Sequence, residues 1–252
     1  MERKAGIIAG TGFYDFPGLF EKEERTVETP HGTVEVMSGK IGPWRVFFVP
    51  RHRKDHSVPP HMVNFRANMY VFKDLGAEFV IGVNSVGSLK KEIIPGTLVI
   101  PHDFISLFRV DTYFDTEVVH AVPSLDAGLR KRLVEKGREL GLPIRDEGVY
   151  FQTLGPRLET RAEVKMIKNF ADVVGMNMGS EAALASELGI PFANISSVDN
   201  YAHGIGNEKL SFEEIVRRAK ENHQNTILLI KKLLTEWEEE PGPAGGEKKV
   251  IR

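Results

Sequence analysis

Short apolar runs bounded by Gly or Pro alternate along this chain with longer stretches of helical period. The runs are "AGIIAG" (5–10), "WRVFFVP" (44–50), "FVIGVNS" (79–85), "GTLVIPH" (96–102), "GVYFQTL" (148–154), "DVVGMNM" (172–178) and "FANISSV" (192–198). Each is rich in β-branched or aromatic residues, which predicts strands. Between them the periodicity predicts a helix from about His61 to Leu75. A second runs from about Leu125 to Leu140, with Leu125, Leu129 and Leu133 at four-residue spacing and Gly141 as its stop. Thr160-x-x-Glu163 reads as a capping box opening a helix to about Phe170. Ser211-x-x-Glu214 opens a long one to about Trp237, with an apolar face that includes Ile215, Ala219, Ile227, Ile230 and Leu233. This alternation predicts one three-layer α/β domain over residues 1–237, a central mixed sheet flanked by helices. The final stretch, 238–252, is polar and Pro/Gly-rich and reads as a flexible tail. In such folds ligands collect where strands end.

Composition narrows the partners. A formal net charge of −2 argues against a polyanion-binding surface, so no nucleic acid is expected. No apolar run approaches the roughly 18 residues of a membrane span. "MERKAGII" lacks the apolar core of a signal peptide. The chain has no cysteine, which excludes disulfides, thiolate metal sites and a cysteine nucleophile. The expected location is the cytoplasm.

The chemistry gathers at strand ends. Gly10-Thr11-Gly12 follows the first strand, but the third glycine of a dinucleotide fingerprint is absent and Pro17 arrives early. A small phosphate loop with the Thr11 hydroxyl as a donor fits better, beside the plain alternative of a tight turn. "VPRHRKDHSVPPH" (49–61) clusters Arg51, His52, Arg53 and Lys54. Arg51 could grip an oxyanion through two parallel N–H bonds. His52, His56 and His61 do not read as a metal site, because the neighbouring cations would repel one. "GVNSVGSL" supplies Asn84, Ser85 and Gly87, whose small turn would let a ligand lie against backbone. In "TLGPRLET", Thr160 serves as the cap and leaves Glu159 free to face a pocket. Met176 follows Gly175, and Asp199-Asn200 ends a buried-looking strand. Together these ends offer a phosphate half and a hydrogen-bonding, purine-like half.

The motifs "IIAGTGF", "PRHRKDHSVPPHMVNFRANMY", "VNSVGSLKKEIIPGTLVIPHDFI", "GPRLETRAE" and "VGMNMGSEAALASELGIPFANIS" run in order over residues 5 to about 235. In this the chain resembles the trimeric purine nucleoside phosphorylase and methylthioadenosine phosphorylase family. The resemblance implies a nucleoside phosphorylase-like fold and phosphorolysis: purine nucleoside plus phosphate gives free base and ribose 1-phosphate. It implies no cofactor, inorganic phosphate being a co-substrate, and no metal. It places phosphate on Thr11, Arg51, His52, Asn84, Ser85 and Asn177, the last departing from the family's usual Ser or Thr. It implies that Asn200 and His52 carry catalysis and that Gly87, Leu158, Glu159, Met176, Asn200, Tyr201 and Ala202 surround base and ribose. It implies a homotrimer or dimer of trimers, with His120 reaching a neighbouring subunit's site.

Specificity rests on Glu159, Asn200, Ala202 and Phe212. By resemblance, members acting on 6-oxopurines have Glu and Asn at the places of Glu159 and Asn200, whereas adenine-type members carry Asp at the latter and again at the place of Ala202. The chemistry agrees, since a 6-oxopurine presents N1–H to a carboxylate and N7 and O6 to an amide. Phe212 falls where mammalian-type members bond the 5′-hydroxyl with His, and its ring would suit a 5′-methylthio group. Inosine, guanosine and 5′-methylthioinosine are the expected substrates, with 5′-methylthioadenosine the alternative. Rival readings are a nucleoside-binding regulator, a dinucleotide oxidoreductase and a hydrolase that uses water in place of phosphate.

Overall fold

A computed structural model describes residues 2–10, 13, 16–109, 111–206 and 212–237, with backbone only for 212–216, 218, 219 and 221. The strands are β1 (Arg3–Ala9), β2 (Phe20–Thr29), β3 (Gly32–Ile41), β4 (Trp44–Pro50), β5 (Phe79–Ser88), β6 (Leu98–Val99), β7 (Asp103–Ser106), β8 (Ile144–Arg145), β9 (Val149–Gln152), β10 (Val173–Gly175) and β11 (Phe192–Tyr201). The α-helices are α1 (Phe65–Asp74), α2 (Ala127–Glu139), α3 (Arg161–Ile167), α4 (Met178–Leu188) and α5 (Phe212–Thr235). The strands form one mixed sheet in the order β2-β3-β4-β1-β5-β10-β9-β7, with β11 branching from β5 and β6-β8 beyond it. β1 pairs in parallel with β4 and β5, and β11 in parallel with β5, while β10 runs antiparallel to β5.

Alternation along the central strands builds the three layers. Ala5, Ile7, Ile81, Ala193 and Ile195 face one side, against Leu129 and Leu133 of α2 and Ile227, Ile230 and Leu233 of α5. Ile8, Val80, Phe192 and Val198 face the other, against Phe65, Met69 and Phe72 of α1 and Met178, Ala182 and Ala185 of α4. The fold class expected from the sequence is the one found.

Several elements depart from expectation. β2, "FEKEERTVET", has no apolar alternation and is almost wholly exposed. It is a strand because it ladders onto β3 from Phe20–Lys40 to Thr29–Gly32, and its charges blunt the sheet edge. β3 and the short strands β7 and β8 were also not expected. The run read as a strand over 172–178 stops at Gly175, and α4 follows from Met178. α4 escapes periodicity because it is buried on nearly all sides: Met178, Gly179, Ser180, Glu181, Ala182, Leu184 and Ala185 are all buried. The first predicted helix starts later, at Phe65, capped by the Asn64 side chain on the Ala67 N–H. The capping box of α3 is present with both bonds made. The expected cap at Ser211 and the expected tail at 238–252 lie outside the described residues.

Candidate active site

The ends of β1, β4, β5, β10 and β11 meet at one edge of the sheet. β4 delivers Arg51 and His52 beside the end of β1, where the Arg51 N–H donates to the Ala9 carbonyl at 2.8 Å. Gly10 is what makes room for them. A β-carbon there would stand 2.7 Å from Arg51 Nη1 and 3.2 Å from His52 Nε2. Guanidinium and imidazole therefore converge on one point over the backbone of the first loop.

The Arg51 side chain is fully buried, and its fork is already engaged. Nε and Nη2 donate to Glu181 Oε1 and Oε2 at 2.5 and 3.0 Å, and Nη1 donates to the Val83 carbonyl at 3.1 Å. This corrects the expectation that Arg51 offers an oxyanion two parallel N–H bonds. That edge is held by Glu181, and what remains toward Gly10 is Nη1. His52 is likewise fixed. Its Nδ1–H donates to the Val58 carbonyl at 2.8 Å. Burial, followed by the neighbouring Arg51 charge, pushes its pKa down to about 4. The imidazole is thus neutral at pH 7, with the Nε2 lone pair toward Gly10. The site carries one cation here rather than the pair that an Arg-His motif suggests.

β5 contributes Asn84, whose Nδ2 is buried with no acceptor, and half-buried Ser85. Asn177 caps α4 without a side-chain cap bond, and its Oδ1 is also buried without a partner. Thr11 lies outside the described residues. A buried polar atom lacking a partner costs about 1–3 kcal/mol unless a ligand meets it, and Asn84 Nδ2, Asn177 Oδ1 and Asp199 Oδ2 are three such atoms near the strand ends.

On the other side, Glu159 is buried and its Oε1 accepts from Thr153 Oγ1 at 2.7 Å. Thr160 is occupied as the cap of α3, and Arg157 is bidentate on Glu163 at 2.7 and 2.8 Å. Arg157, with the Thr160 N–H, holds the Glu163 carboxyl down at about 2. Gly155, at φ 61°, lets Met176 lie against the loop, since a β-carbon there would stand 2.5 Å from Met176 Sδ. Leu158 is exposed.

β11 carries an irregularity between Val198 and Asn200 that puts Asn200 opposite Gly87. Asn200 Nδ2 donates to the Tyr201 carbonyl at 2.8 Å and stands 3.3 Å from where a Gly87 β-carbon would be. Tyr201 turns its hydroxyl to the Lys91 carbonyl at 3.1 Å, and Ala202 is buried. Asp199, on the α5 side, is pushed up to about 6 by burial, with Ser85, Asn222 and Ser197 opposing that shift. His120 is exposed in the segment between β7 and α2. Phe212 opens α5, and its side chain is not among those described. Reading the sequence alone misses Glu181, Asn194 and Ser196. The available signal was a lone carboxylate in "NMGSEAALA", an otherwise small and apolar stretch.

Fold and site together define an α/β enzyme scaffold whose strand ends carry a buried guanidinium and a neutral imidazole over Gly10, and a buried carboxylate and an amide on neighbouring segments. The chain belongs to the phosphorylase superfamily, whose family model matches residues 4–235. It is 45% identical over 236 residues to "Probable 6-oxopurine nucleoside phosphorylase" of Archaeoglobus fulgidus, covering 93% of this chain and 97% of that one. It is 41% identical over 246 residues to "S-methyl-5'-thioadenosine phosphorylase" of Pyrococcus abyssi, covering 94% of each. Among solved structures it resembles the methylthioadenosine phosphorylase of Schistosoma mansoni in complex with adenine, with TM-score 0.86, 27% identity, and 92% of this chain and 90% of that one covered. No described helix is long and apolar enough to cross a membrane.

Proposed function

We propose that this enzyme is a purine nucleoside phosphorylase acting on 6-oxopurine nucleosides. It transfers the ribosyl group from the purine to inorganic phosphate, which is a co-substrate, and the reaction needs no cofactor. The observation that carries the reading is the convergence of Arg51 Nη1 and His52 Nε2 on the point above Gly10.

Phosphate lies there, with Asn84 Nδ2 as a further donor. The neutral His52 accepts the hydrogen of a phosphate hydroxyl at Nε2, leaving the unprotonated oxygens to Arg51 and Asn84. As the C1′–N9 bond lengthens, the sugar gains positive character and the purine gains negative charge. The second Nδ2 hydrogen of Asn200 is directed to N7, where that charge develops. Stabilisation there, with phosphate held in place, supplies most of the rate. Glu159 accepts N1–H of the base. Ala202 offers no acceptor for a 6-amino group, which supports hypoxanthine and guanine over adenine.

Names of the relatives support both a 6-oxopurine and a 5′-methylthioadenosine reading. The residues at 159, 200 and 202 favour the first, and Phe212 favours a 5′-methylthio group. Exposed Leu107, Phe108, Val118 and Val122 lie in the same segment as His120. They support a subunit contact there, and the family resemblance supports a homotrimer or a dimer of trimers. The cytoplasm is the proposed location.

The test is base release from inosine, 5′-methylthioinosine and 5′-methylthioadenosine, each with and without phosphate. Strictly phosphate-dependent release from the two 6-oxopurine nucleosides is expected. Release without phosphate would make the enzyme a hydrolase, and preference for the adenine nucleoside would overturn the roles given to Glu159 and Ala202.

A further inference from the structure

Behind the phosphate donors lies a buried polar chain that does not reach the ligand. Asn84 is 2% exposed, and Asn194 and Ser196 are fully buried. Asn84 stands opposite Ser196 in the parallel β5-β11 ladder, and Gly82 stands opposite Asn194. All three polar residues share the sheet face that packs on α1 and α4, beside the buried Arg51–Glu181 pair. Gly82 admits the amide, since a β-carbon there would stand 2.8 Å from Asn194 Nδ2.

The chain has a direction. Ser196 Oγ donates to Asn194 Oδ1 at 2.7 Å. Asn194 Nδ2 then donates to Asn84 Oδ1. That leaves Asn84 Nδ2 as the outward end, the buried donor without an acceptor. Turning the Asn84 amide over would set two N–H₂ groups against each other. Turning Asn194 as well would give its N–H₂ to Ser196 Oγ, which a hydroxyl accepts, but would point Asn84 Oδ1 outward. Turning one amide alone is costly, so the two amides are coupled, and Asn84 keeps its N–H₂ outward as long as Asn194 donates to it and Ser196 donates to Asn194.

We propose that Asn194 and Ser196 are positioning residues that lock the Asn84 amide with its N–H₂ toward phosphate. This rests on the placement of phosphate given above. Neither residue touches substrate, and both act through Asn84.

The experiment is steady-state kinetics on the full-length chain, titrating phosphate at saturating nucleoside and nucleoside at saturating phosphate. Asn194→Ala is expected to raise the phosphate KM about tenfold, the lower end of effects from such supporting partners, with nucleoside KM within about twofold. Ser196→Ala is expected to raise it about threefold in the same pattern. In an Asn84→Ala background, Asn194→Ala should add nothing, because the residue it aims is gone. The same factor with and without Asn84, or equal shifts in both KM values, would overturn the proposal in favour of a merely structural role. If Asn194→Ala does not fold, Ser196→Ala carries the same comparison alone and in the Asn84→Ala background. An unchanged phosphate KM in Asn84→Ala would remove phosphate from Asn84 and end the proposal. Phosphate-dependent base release by the parent enzyme would meanwhile leave the phosphorylase reading standing.

Discussion

Glu181 holds Arg51 along one edge, Nε to Oε1 at 2.5 Å and Nη2 to Oε2 at 3.0 Å, with both side chains at 0% exposure. The pair fixes the only described cation that reaches the point above Gly10. Removing one partner strands a buried charge, which costs about 3–5 kcal/mol. Glu181→Gln should lose stability of that order in chemical denaturation. Added phosphate should raise its midpoint more than it raises the parent's, because the anion restores a counter-charge. A loss below about 1 kcal/mol would mean that the pair is not the anchor.

Gly10→Ala tests the seat itself. The added methyl would lie 2.7 Å from Arg51 Nη1 and 3.2 Å from His52 Nε2, on the point assigned to phosphate. The phosphate KM should rise about tenfold or more, and thermal stability should fall, because the pinned Arg51 side chain must shift to admit the methyl. A normal phosphate KM would place the anion elsewhere.

Asn200 and Glu159 divide the work on the base. Asn200→Ala should lower kcat on the order of 10²-fold, as when a donor to developing negative charge is lost. Glu159→Gln replaces an acceptor for N1–H with an amide. It should lower kcat/KM for inosine about 10- to 100-fold and narrow the preference over adenosine. Equal losses on both nucleosides would separate Glu159 from base recognition.

Stability should also follow pH in a defined window. His52 and His223 are both pushed by burial to about 4, from an ordinary 6.5. Between those values the unfolded chain binds protons that the folded chain does not, so stability rises with pH from about 4 to 6.5. Asp199 acts in reverse. Its folded pKa of about 6 exceeds the ordinary 3.8, so its contribution is present below 3.8 and lost as pH rises through 6. His31 is also lowered by burial and Glu181 is also raised by it, so three histidines stand against two carboxylates, and the net rise is readable as a denaturation midpoint increasing from pH 4.5 to 6.5. Asp199→Asn should steepen that rise, and a flat profile would count against the buried neutral histidines.

Where local pattern and tertiary demand agree, residues predicted structure well. β4 and β5 are continuous apolar runs between turn signals. α3 announces itself by Thr160 and Glu163, whose bonds lie within one helical turn and need nothing from the rest of the chain. β2 was not legible, because its strand state comes from the β3 edge and not from its own residues. α4 was not legible, because a helix buried all round has no polar face to mark its period.

The same division runs through the site. Sequence alone determined which groups stand at the strand ends, from Arg51 and His52 to Glu159 and Asn200, because strand, turn and cap signals are local. Only the tertiary structure decided how they act. Glu181 is 130 residues from Arg51, and Asn194 is 110 from Asn84. Their contacts take the fork of Arg51 and set the amide of Asn84, and burial removes the charge of His52. Which N–H remains free, and which nitrogen keeps its lone pair, depends on partners that meet only when α4, β5 and β11 pack together.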